Sequence, residues 1–210
     1  MEAIDELTAD LGWRETELAL LKVFFQRKDV TSRQHDVLVR AAWSLLYAHY
    51  EGYAKFCLTL FFDRAARLVD SCGPLPQKTK EYALFSEMKR IRTLPAADFL
   101  HTLETFATTT GSQKPEFPEV DTKSNLWPNV LEDLLAFADI SCPSIDKNRV
   151  LLKALVVKRN GIAHGQAVSA SYPDYLKQEN AVYEVMYDLA YQVDARLKGA
   201  PFVKAGVGPK

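Results

Sequence analysis

The amino-acid sequence predicts an all-α protein, a bundle of about six or seven helices around a long central second helix. Apolar residues recur at steps of three, four and seven along most of the 210 residues, which is the period of amphipathic helices. Glycine and proline interrupt this pattern where helices would end. No stretch alternates apolar and polar residues well enough to predict a strand, so helices alone must supply the core.

The first two predicted helices are the longest of the amino-terminal half. The first covers about residues 4–27, and the second begins after Thr31 or Ser32, whose hydroxyl groups can accept hydrogen bonds from its first amides. Gly73 and Pro74 follow its predicted end near residue 71. Aromatic residues lie on more than one face of this helix, which predicts that neighbours pack all round it. They are Trp43, Tyr47, Tyr50, Tyr53, Phe56, Phe61 and Phe62.

Shorter helices are predicted in the middle of the chain. They cover about residues 80–91 and 95–107, and Pro95 suits the first turn of the second one. Residues 108–124 contain a glycine and two prolines, which predicts an exposed loop. A compact helix should follow this loop and end near residue 139.

The last two predicted helices are separated by a short turn. One begins at about residue 146 and ends before Gly165, which is placed to adopt a left-handed conformation. Ser171 can cap the other, which runs to about residue 197. The expected organisation is one domain over residues 1–198, followed by a mobile tail over residues 199–210 that has little apolar surface to bury.

Composition and motifs exclude several classes of function. The longest apolar run is too short to span a bilayer and the acidic N-terminus lacks a secretion signal, so a cytoplasmic protein without a membrane partner is expected. Cys57, Cys72 and Cys142 have no CxxC spacing, and His35 and His49 lie about 21 Å apart along one predicted helix. The GxxxxGK[ST], GxGxxG and GxSxG motifs are absent from the sequence. We therefore expect no disulfide, no metal and no cofactor.

Basic residues concentrate in one predicted helix although the formal net charge is only −1. A nearly neutral chain is not a general phosphate-binding surface, so any RNA contact has to be local. The basic surplus predicts such a contact or, alternatively, a solvated helix face. The segment from Asp146 to His164 contains one acidic residue, Asp146. Its basic residues are Lys147, Arg149, Lys153, Lys158 and Arg159.

Arg159 and His164 supply the groups that phosphodiester cleavage needs in the absence of a metal. A ribose 2′-hydroxyl that attacks phosphorus must lose a proton, and the departing 5′-oxygen must gain one. Histidine can make either transfer near neutral pH because its intrinsic pKa is about 6.5. Arginine can hold the phosphate oxygens with a planar group that stays charged throughout.

The five-residue spacing between Arg159 and His164 constrains this interpretation. On a regular helix the two side chains would point about 140° apart, whereas Asn160 and His164 would lie one turn apart on the same face. For one phosphate to meet both, the arginine must bend round or the helix must end before His164. Gly161 and Gly165 allow such a local departure. The alternative is a helix-end histidine beside a surface arginine.

Three segments in the same order give a more specific indication. Residues 158–165 (KRNGIAHG) look like the RNxxxH form of the Rx4–6H signature of HEPN domains. Residues 45–55 (LLYAHYEGYAK) and 125–131 (NLWPNVL) match the same kind of protein. Together the segments resemble the MAE-like branch of the HEPN superfamily over about residues 10–195.

The resemblance implies a HEPN-type helical bundle that forms a homodimer, in which two RxxxxH motifs face one cleft. Such a dimer cuts RNA without a metal and leaves a 2′,3′-cyclic phosphate and a 5′-hydroxyl. Proteins of this kind often act in toxin–antitoxin or phage-defence systems, so an antitoxin or another defence protein is a possible partner.

The chemistry and the resemblance together assign roles to individual residues. His164 is the expected general acid or base, Arg159 stabilises charge on the phosphate, and Asn160 contacts the phosphate or braces the turn. Glu51 is expected to orient Arg159 from the long helix, as acidic residues do in related domains. The alternative is a surface ion pair between Glu51 and Lys55. The residues expected to guide RNA are Lys147, Arg149, Lys153 and Lys158.

Three functional hypotheses follow from the sequence. The first is a homodimeric endoribonuclease with the residues named above. The second is a non-catalytic HEPN module that binds RNA, a nucleotide or a protein partner, and the third is a helical adaptor in which the motif is a dimer contact.

Tyr47 and Tyr50 of the second predicted helix have two possible roles. They either stack on RNA bases or belong to the core.

Overall fold

The computed structural model describes residues 2–25, 27 and 29–203, without the side chains of residues 107 and 108. The predicted all-α fold is confirmed: helices and irregular segments account for the whole of this described part, without a strand. The helices are α1 Ala3–Phe25, α2 Ser32–Leu68, α3 Gln77–Ala83, α4 Phe85–Ile91, α5 Ala96–Thr110, α6 Pro128–Phe137, α7 Pro143–Ala163 and α8 Tyr172–Leu197.

Several helix ends follow from the capping residues that the sequence supplies. Thr31 accepts a hydrogen bond from the Gln34 amide, and the Gln34 side chain returns one to the Thr31 amide, which makes a capping box at the start of α2. Ser171 caps α8 by accepting from the Asp174 amide. Pro143 occupies the first turn of α7, where its missing N–H costs no hydrogen bond. This helix therefore begins three residues before the predicted start.

The structure corrects the number and length of the middle helices. The single helix predicted over residues 80–91 is two short helices, α3 and α4, because Leu84 interrupts the helical backbone with φ of −94° and ψ of 3°. Because of this split, the described part of the chain contains eight helices where about six or seven were expected. Helix α5 continues to Thr110 and α6 begins only at Pro128, so the irregular segment is as long as the predicted loop over residues 108–124 but lies three residues later.

The core lies between four long helices. Helices α2 and α8 pack against each other, and α1 and α7 each pack against both of them. The shorter α6 packs against α2, α3 and α7. Tyr50, Tyr53 and Phe61 of α2 are fully buried, which confirms that the aromatic second helix is central.

Aromatic contacts show which helix ends lie together. The Tyr172 ring at the start of α8 contacts Phe25 at the end of α1 and His35 near the start of α2, with centroids 4.7 and 6.1 Å away. Near this end of the bundle, the Arg40 guanidinium of α2 donates to the Gln166 carbonyl, 2.9 Å away, just after α7. The end of α7 and the hairpin between α1 and α2 are therefore neighbours.

The carboxyl-terminal segment begins with a packed turn. Phe202 is buried and its ring lies 5.4 Å from that of Phe61, so packing continues beyond residue 198, the predicted end of the domain. Residues 204–210 of the predicted mobile tail lie outside the described residues, and the mobility of the tail stays a prediction.

The three cysteines are buried and free, as small apolar side chains would be. Burial raises the pKa of the Cys142 thiol to about 12, which leaves it protonated near neutral pH. Within the described part of the chain, no helix combines the length and apolar character that crossing a bilayer requires.

Candidate functional site

Arg159, near the end of α7, directs its guanidinium towards α2. Its Cζ lies 3.8 Å from the centroid of the Tyr47 ring, and its Nη2 lies 3.9 Å from Oε2 of Glu51. Tyr47 and Glu51 are four residues apart on α2, so they share one face of that helix. The structure brings Arg159 together with Glu51, the predicted supporting residue, and adds Tyr47 to the group.

Tyr47 is held from a second direction. Its hydroxyl accepts a hydrogen bond of 2.8 Å from the Leu126 amide, which belongs to the irregular segment before α6. Burial raises the pKa of Tyr47, and the nearby Arg159 partly opposes that rise. The ring beneath the Arg159 guanidinium is thus neutral and fixed in place. Sequence reasoning missed this role, although Tyr47 and Leu126 lie in two of the three family-like segments.

The guanidinium of Arg159 retains hydrogen-bonding capacity. Its Nε is buried without a hydrogen-bond partner, and the 3.9 Å separation of Nη2 from Glu51 is an ion pair without a hydrogen bond. About a fifth of the side chain, 21%, is exposed. The Tyr47 ring and the Glu51 carboxylate therefore fix the position of the charge, and the side chain stays partly open to an anionic ligand.

The end of α7 is a Schellman motif. The His164 amide donates to the Asn160 carbonyl, the Gly165 amide to the Ile162 carbonyl, and the Gln166 amide to the carbonyl of Gly161, at 3.0, 3.0 and 2.9 Å. The left-handed conformation predicted for Gly165 is confirmed by its φ of +72°. His164 is the cap residue just past the last helical position, with φ of −89° and ψ of 14°.

Gly161 allows the chain to fold back after this cap. A Cβ atom on Gly161 would lie 2.5 Å from Cγ2 of Val168 and 3.1 Å from Oε1 of Gln166. The Arg40 guanidinium holds the returning segment through the Gln166 carbonyl. The close approach needs a residue without a side chain, which explains glycine inside the last turn of α7.

His164 and Asn160 differ from Arg159 in their surroundings. The His164 side chain is exposed and makes no hydrogen bond or ion pair with the rest of the described chain. The Asn160 side chain is half-buried and likewise has no side-chain hydrogen bond within the described residues. Within the described residues the imidazole and the amide are therefore without side-chain partners, whereas the Arg159 guanidinium is held by Tyr47 and Glu51.

The structure divides the predicted RNA-guiding residues into two groups. Lys147 forms an ion pair of 2.5 Å with Glu184, and Arg149 pairs with Glu132 and Asp146. These two residues belong to the first half of α7, and Lys147 lies about 25 Å along the helix from His164. In the second half of α7, Lys158 precedes Arg159 in the sequence, and its Nζ lies 4.2 Å from the centroid of the Trp43 ring. Lys153 lies between the groups and is exposed, without an acidic partner in the described chain.

Two open alternatives from the sequence are decided by contacts. Lys55 forms an ion pair of 2.8 Å with Glu119, and although Glu51 acts on it electrostatically, the two form no ion pair within 4 Å in the described chain. Tyr47 and Tyr50 are buried, with 2% and 0% exposure, so they belong to the core and cannot stack on RNA bases. No group of three metal-ligating side chains occurs among residues that the structure describes.

Comparison with known proteins gives one match. A family model described as MAE-like HEPN matches residues 3–202, which is nearly the whole chain. The match includes all three segments that resembled this family in the sequence. No curated protein and no solved structure matches the chain.

Proposed function

Because the chain belongs to the MAE-like branch of the HEPN superfamily, we propose that it is an endoribonuclease that needs no metal. The observation that carries the proposal is the state of Arg159: it is held on the Tyr47 ring and beside Glu51, it is partly exposed, and it makes no hydrogen bond to that carboxylate. A guanidinium fixed in this way is suited to stabilise the extra charge on a phosphate in the transition state. His164 is exposed at the adjacent helix cap.

The reaction is an internal transesterification of RNA. The ribose 2′-oxygen forms a bond to the neighbouring phosphorus while the bond from phosphorus to the 5′-oxygen breaks. A base takes the proton of the 2′-hydroxyl and an acid donates one to the 5′-oxygen, so the products are a 2′,3′-cyclic phosphate and a 5′-hydroxyl. His164 is the base or the acid, and Asn160 positions the phosphate that Arg159 binds.

A second chain completes the site. Two proton transfers need two groups, and each chain supplies one RNxxxH motif with one histidine. The exposed position of His164, at an end of the bundle, is accessible to a second copy. The active form in this proposal is a homodimer whose two His164 side chains share one cleft. Its cellular role is that of a toxin or phage-defence nuclease, controlled by an antitoxin or another defence protein.

The basic residues of α7 differ in whether a nearby carboxylate offsets their charge, and the unpaired ones are expected to attract RNA most strongly. Lys153 and Lys158 are the principal RNA-guiding residues in the proposal, since neither is paired with an acid within the described chain. Lys147 and Arg149 take part at longer range because Glu184, Glu132 and Asp146 already offset their charge.

RNA cleavage in excess EDTA tests the proposal. The wild-type protein is expected to cut, and His164→Ala and Arg159→Ala each to lower the rate by about 10²–10⁴. Arg67→Ala is the matched control, because Arg67 is an exposed arginine near the end of α2, about 30 Å along that helix from Tyr47. Loss of cleavage on adding EDTA, or variants that cut like the wild type, would contradict the mechanism. RNA binding without cleavage would instead favour the non-catalytic HEPN module.

A further inference from the structure

A cleft at α4 lies outside the site around Arg159. It has a volume of about 430 Å³ and combines an aromatic ring, two hydroxyl groups and two basic side chains. No carboxylate lines it. Its lining residues are Phe85, Ser86, Lys89, Arg90, Thr93 and Pro118.

Phe85 presents an exposed aromatic ring in this cleft. It is the first residue of α4 and is 53% exposed, whereas the rings of Phe62, Tyr82 and Phe117 nearby pack on one another. An exposed ring at the wall of a cleft offers a flat surface on which another planar group can stack. Packing within the chain leaves this surface unused.

Unpaired positive charge follows Phe85 along the chain, on Lys89 in the lining of the cleft and on Arg92 just after α4. Lys89 and Arg92 are exposed and have no acidic partner in the described part of the chain, whereas Arg90 is bound through two nitrogens by Glu87. Arg92 keeps helical backbone angles, with φ of −63° and ψ of −17°, so Phe85, Lys89 and Arg92 follow one another at helical spacing on one face. Residues 77–94 carry a net charge of +3 in a chain of net charge −1.

We propose that the α4 cleft is a second RNA-binding site, one that holds single-stranded RNA at a distance from the cleavage site. A base stacks on Phe85, and Lys89 and Arg92 contact the flanking phosphates. An open aromatic ring among cations is the combination that binds unpaired nucleotides without reading their sequence. The apolar surface of a protein partner would leave the two unpaired cations without a counterpart. The inference rests on the proposed function, because it supplies a binding site for the same substrate.

The cleft is physically linked to the Arg159 site through the segment before α6. Pro118 of this segment lines the cleft, and Leu126 of the same segment donates to the Tyr47 hydroxyl under Arg159. Phe62, which contacts Phe117, lies about 22 Å along α2 from Tyr47. An RNA must therefore be several nucleotides long to occupy both sites, and a dinucleotide can occupy only one.

Binding of a fluorescent single-stranded RNA of about 20 nucleotides tests this inference, with His164→Ala present in every protein so that the RNA stays intact. Phe85→Ala is expected to weaken binding by about 5- to 150-fold. Lys89→Ala with Arg92→Ala should lower the slope of log affinity against log salt by about 1.4, since two phosphate contacts are lost. Tyr191→Ala is the control, because Tyr191 is 67% exposed on α8 and lies outside the cleft. Unchanged affinity and slope in both test variants would overturn the proposal.

Cleavage assays separate failure of this inference from failure of the proposed function. In the otherwise wild-type protein, Phe85→Ala is expected to raise KM for the long RNA and to leave cleavage of a dinucleotide unchanged. Equal loss on both substrates would contradict a remote binding site. If wild-type protein cuts neither substrate but Phe85→Ala still weakens RNA binding, the second site stands and the proposed nuclease activity fails.

Discussion

Arg14 and Arg159 contact different sides of α2 in surroundings that contain the same kinds of groups. Each guanidinium lies over a tyrosine ring of α2 and beside a carboxylate. Arg14 is 8% exposed and its Nε lies 2.6 Å from Asp10, whereas Nη2 of Arg159 lies 3.9 Å from Glu51. A satisfied, buried arginine holds helices together, and an unsatisfied, accessible one retains binding capacity for a ligand.

The histidines near the two arginines differ in the same way. His49 is buried beside Arg14, with its Nε2 2.8 Å from Glu17 and its ring against Trp13. His164, in the same motif as Arg159, is exposed and has no such partner in the described chain. Residue types alone would make both groups candidates for acid–base chemistry. Exposure separates the structural group, Arg14 and His49, from the candidate site, Arg159 and His164.

The largest expected effect concerns the two arginines directly. Arg14→Ala should lower the free energy of unfolding by about 3 kcal/mol, because it leaves Asp10 in a mostly buried position without its cation. Arg159→Ala should lower it by less than about 1 kcal/mol, since that ion pair is long and partly solvated. Urea unfolding of both variants measures the difference. Equal losses would remove the distinction between the two groups.

Two glycines give the next largest effect. Gly161→Ala forces the turn after α7 away from Val168, which should destabilise the protein by about 1–3 kcal/mol and lower RNA cleavage because His164 moves with the turn. Gly12→Ala in α1 is the matched control: its Cβ meets nothing within 4 Å, so it should stabilise by about 0.5–1 kcal/mol. Thermal unfolding and cleavage rates together check both outcomes. A Gly161→Ala protein as active and as stable as the wild type would show that the close approach is unnecessary.

Two tyrosines offer a smaller and more selective contrast. Tyr47→Phe removes the acceptor of the Leu126 amide, and Tyr53→Phe removes the donor to the Leu7 carbonyl, so each should cost about 1 kcal/mol of stability. Only Tyr47→Phe is expected to slow RNA cleavage, by several-fold, because Tyr47 lies under Arg159. Comparison of kcat for the two variants is the measurement. A matching decrease in Tyr53→Phe would mean that lost stability, and not the position of Arg159, controls the rate.

The smallest expected effect is a pH dependence that belongs to His49. Burial lowers the pKa of His49 below 6.5, its ordinary value, although Glu17 opposes the change. Between that lowered pKa and pH 6.5 the unfolded chain binds a proton that the folded chain does not, so stability falls as the pH decreases through this range. The slope cannot exceed about 1.4 kcal/mol per pH unit for one group. His49→Gln should flatten the curve of unfolding free energy between pH 5 and 7, and an unchanged slope would contradict this assignment.

Local sequence signals predicted much of the fold. Thr31, Ser171 and Gly165 were identified as terminal residues from their chemistry, and all three occupy those positions because capping depends on neighbours in the sequence. The break at Leu84 was not predictable in this way, since the residue is apolar and has no special backbone preference. Helix α3 packs against α6, a contact between segments far apart in the sequence that no local pattern specifies.

The candidate site was predictable in its residue types and only partly in its contacts. The motif identified Arg159 and His164, and the resemblance placed Glu51 near Arg159. The stacking of Arg159 on Tyr47 and the pairing of Lys147 with Glu184 join residues far apart in the sequence. Such contacts depend on how α2, α7 and α8 pack, which no local pattern specifies.

The chemical nature of the RNA ends produced in excess EDTA tests the central claim most directly. The purified wild-type protein should release fragments with a 2′,3′-cyclic phosphate and a 5′-hydroxyl, and His164→Ala should produce such ends about 10²–10⁴ times more slowly. His49→Gln, which changes the buried histidine, should give the same ends at a rate close to that of the wild type. Fragments with a 3′-hydroxyl and a 5′-phosphate, or no fragments until a divalent metal is added, would contradict the account.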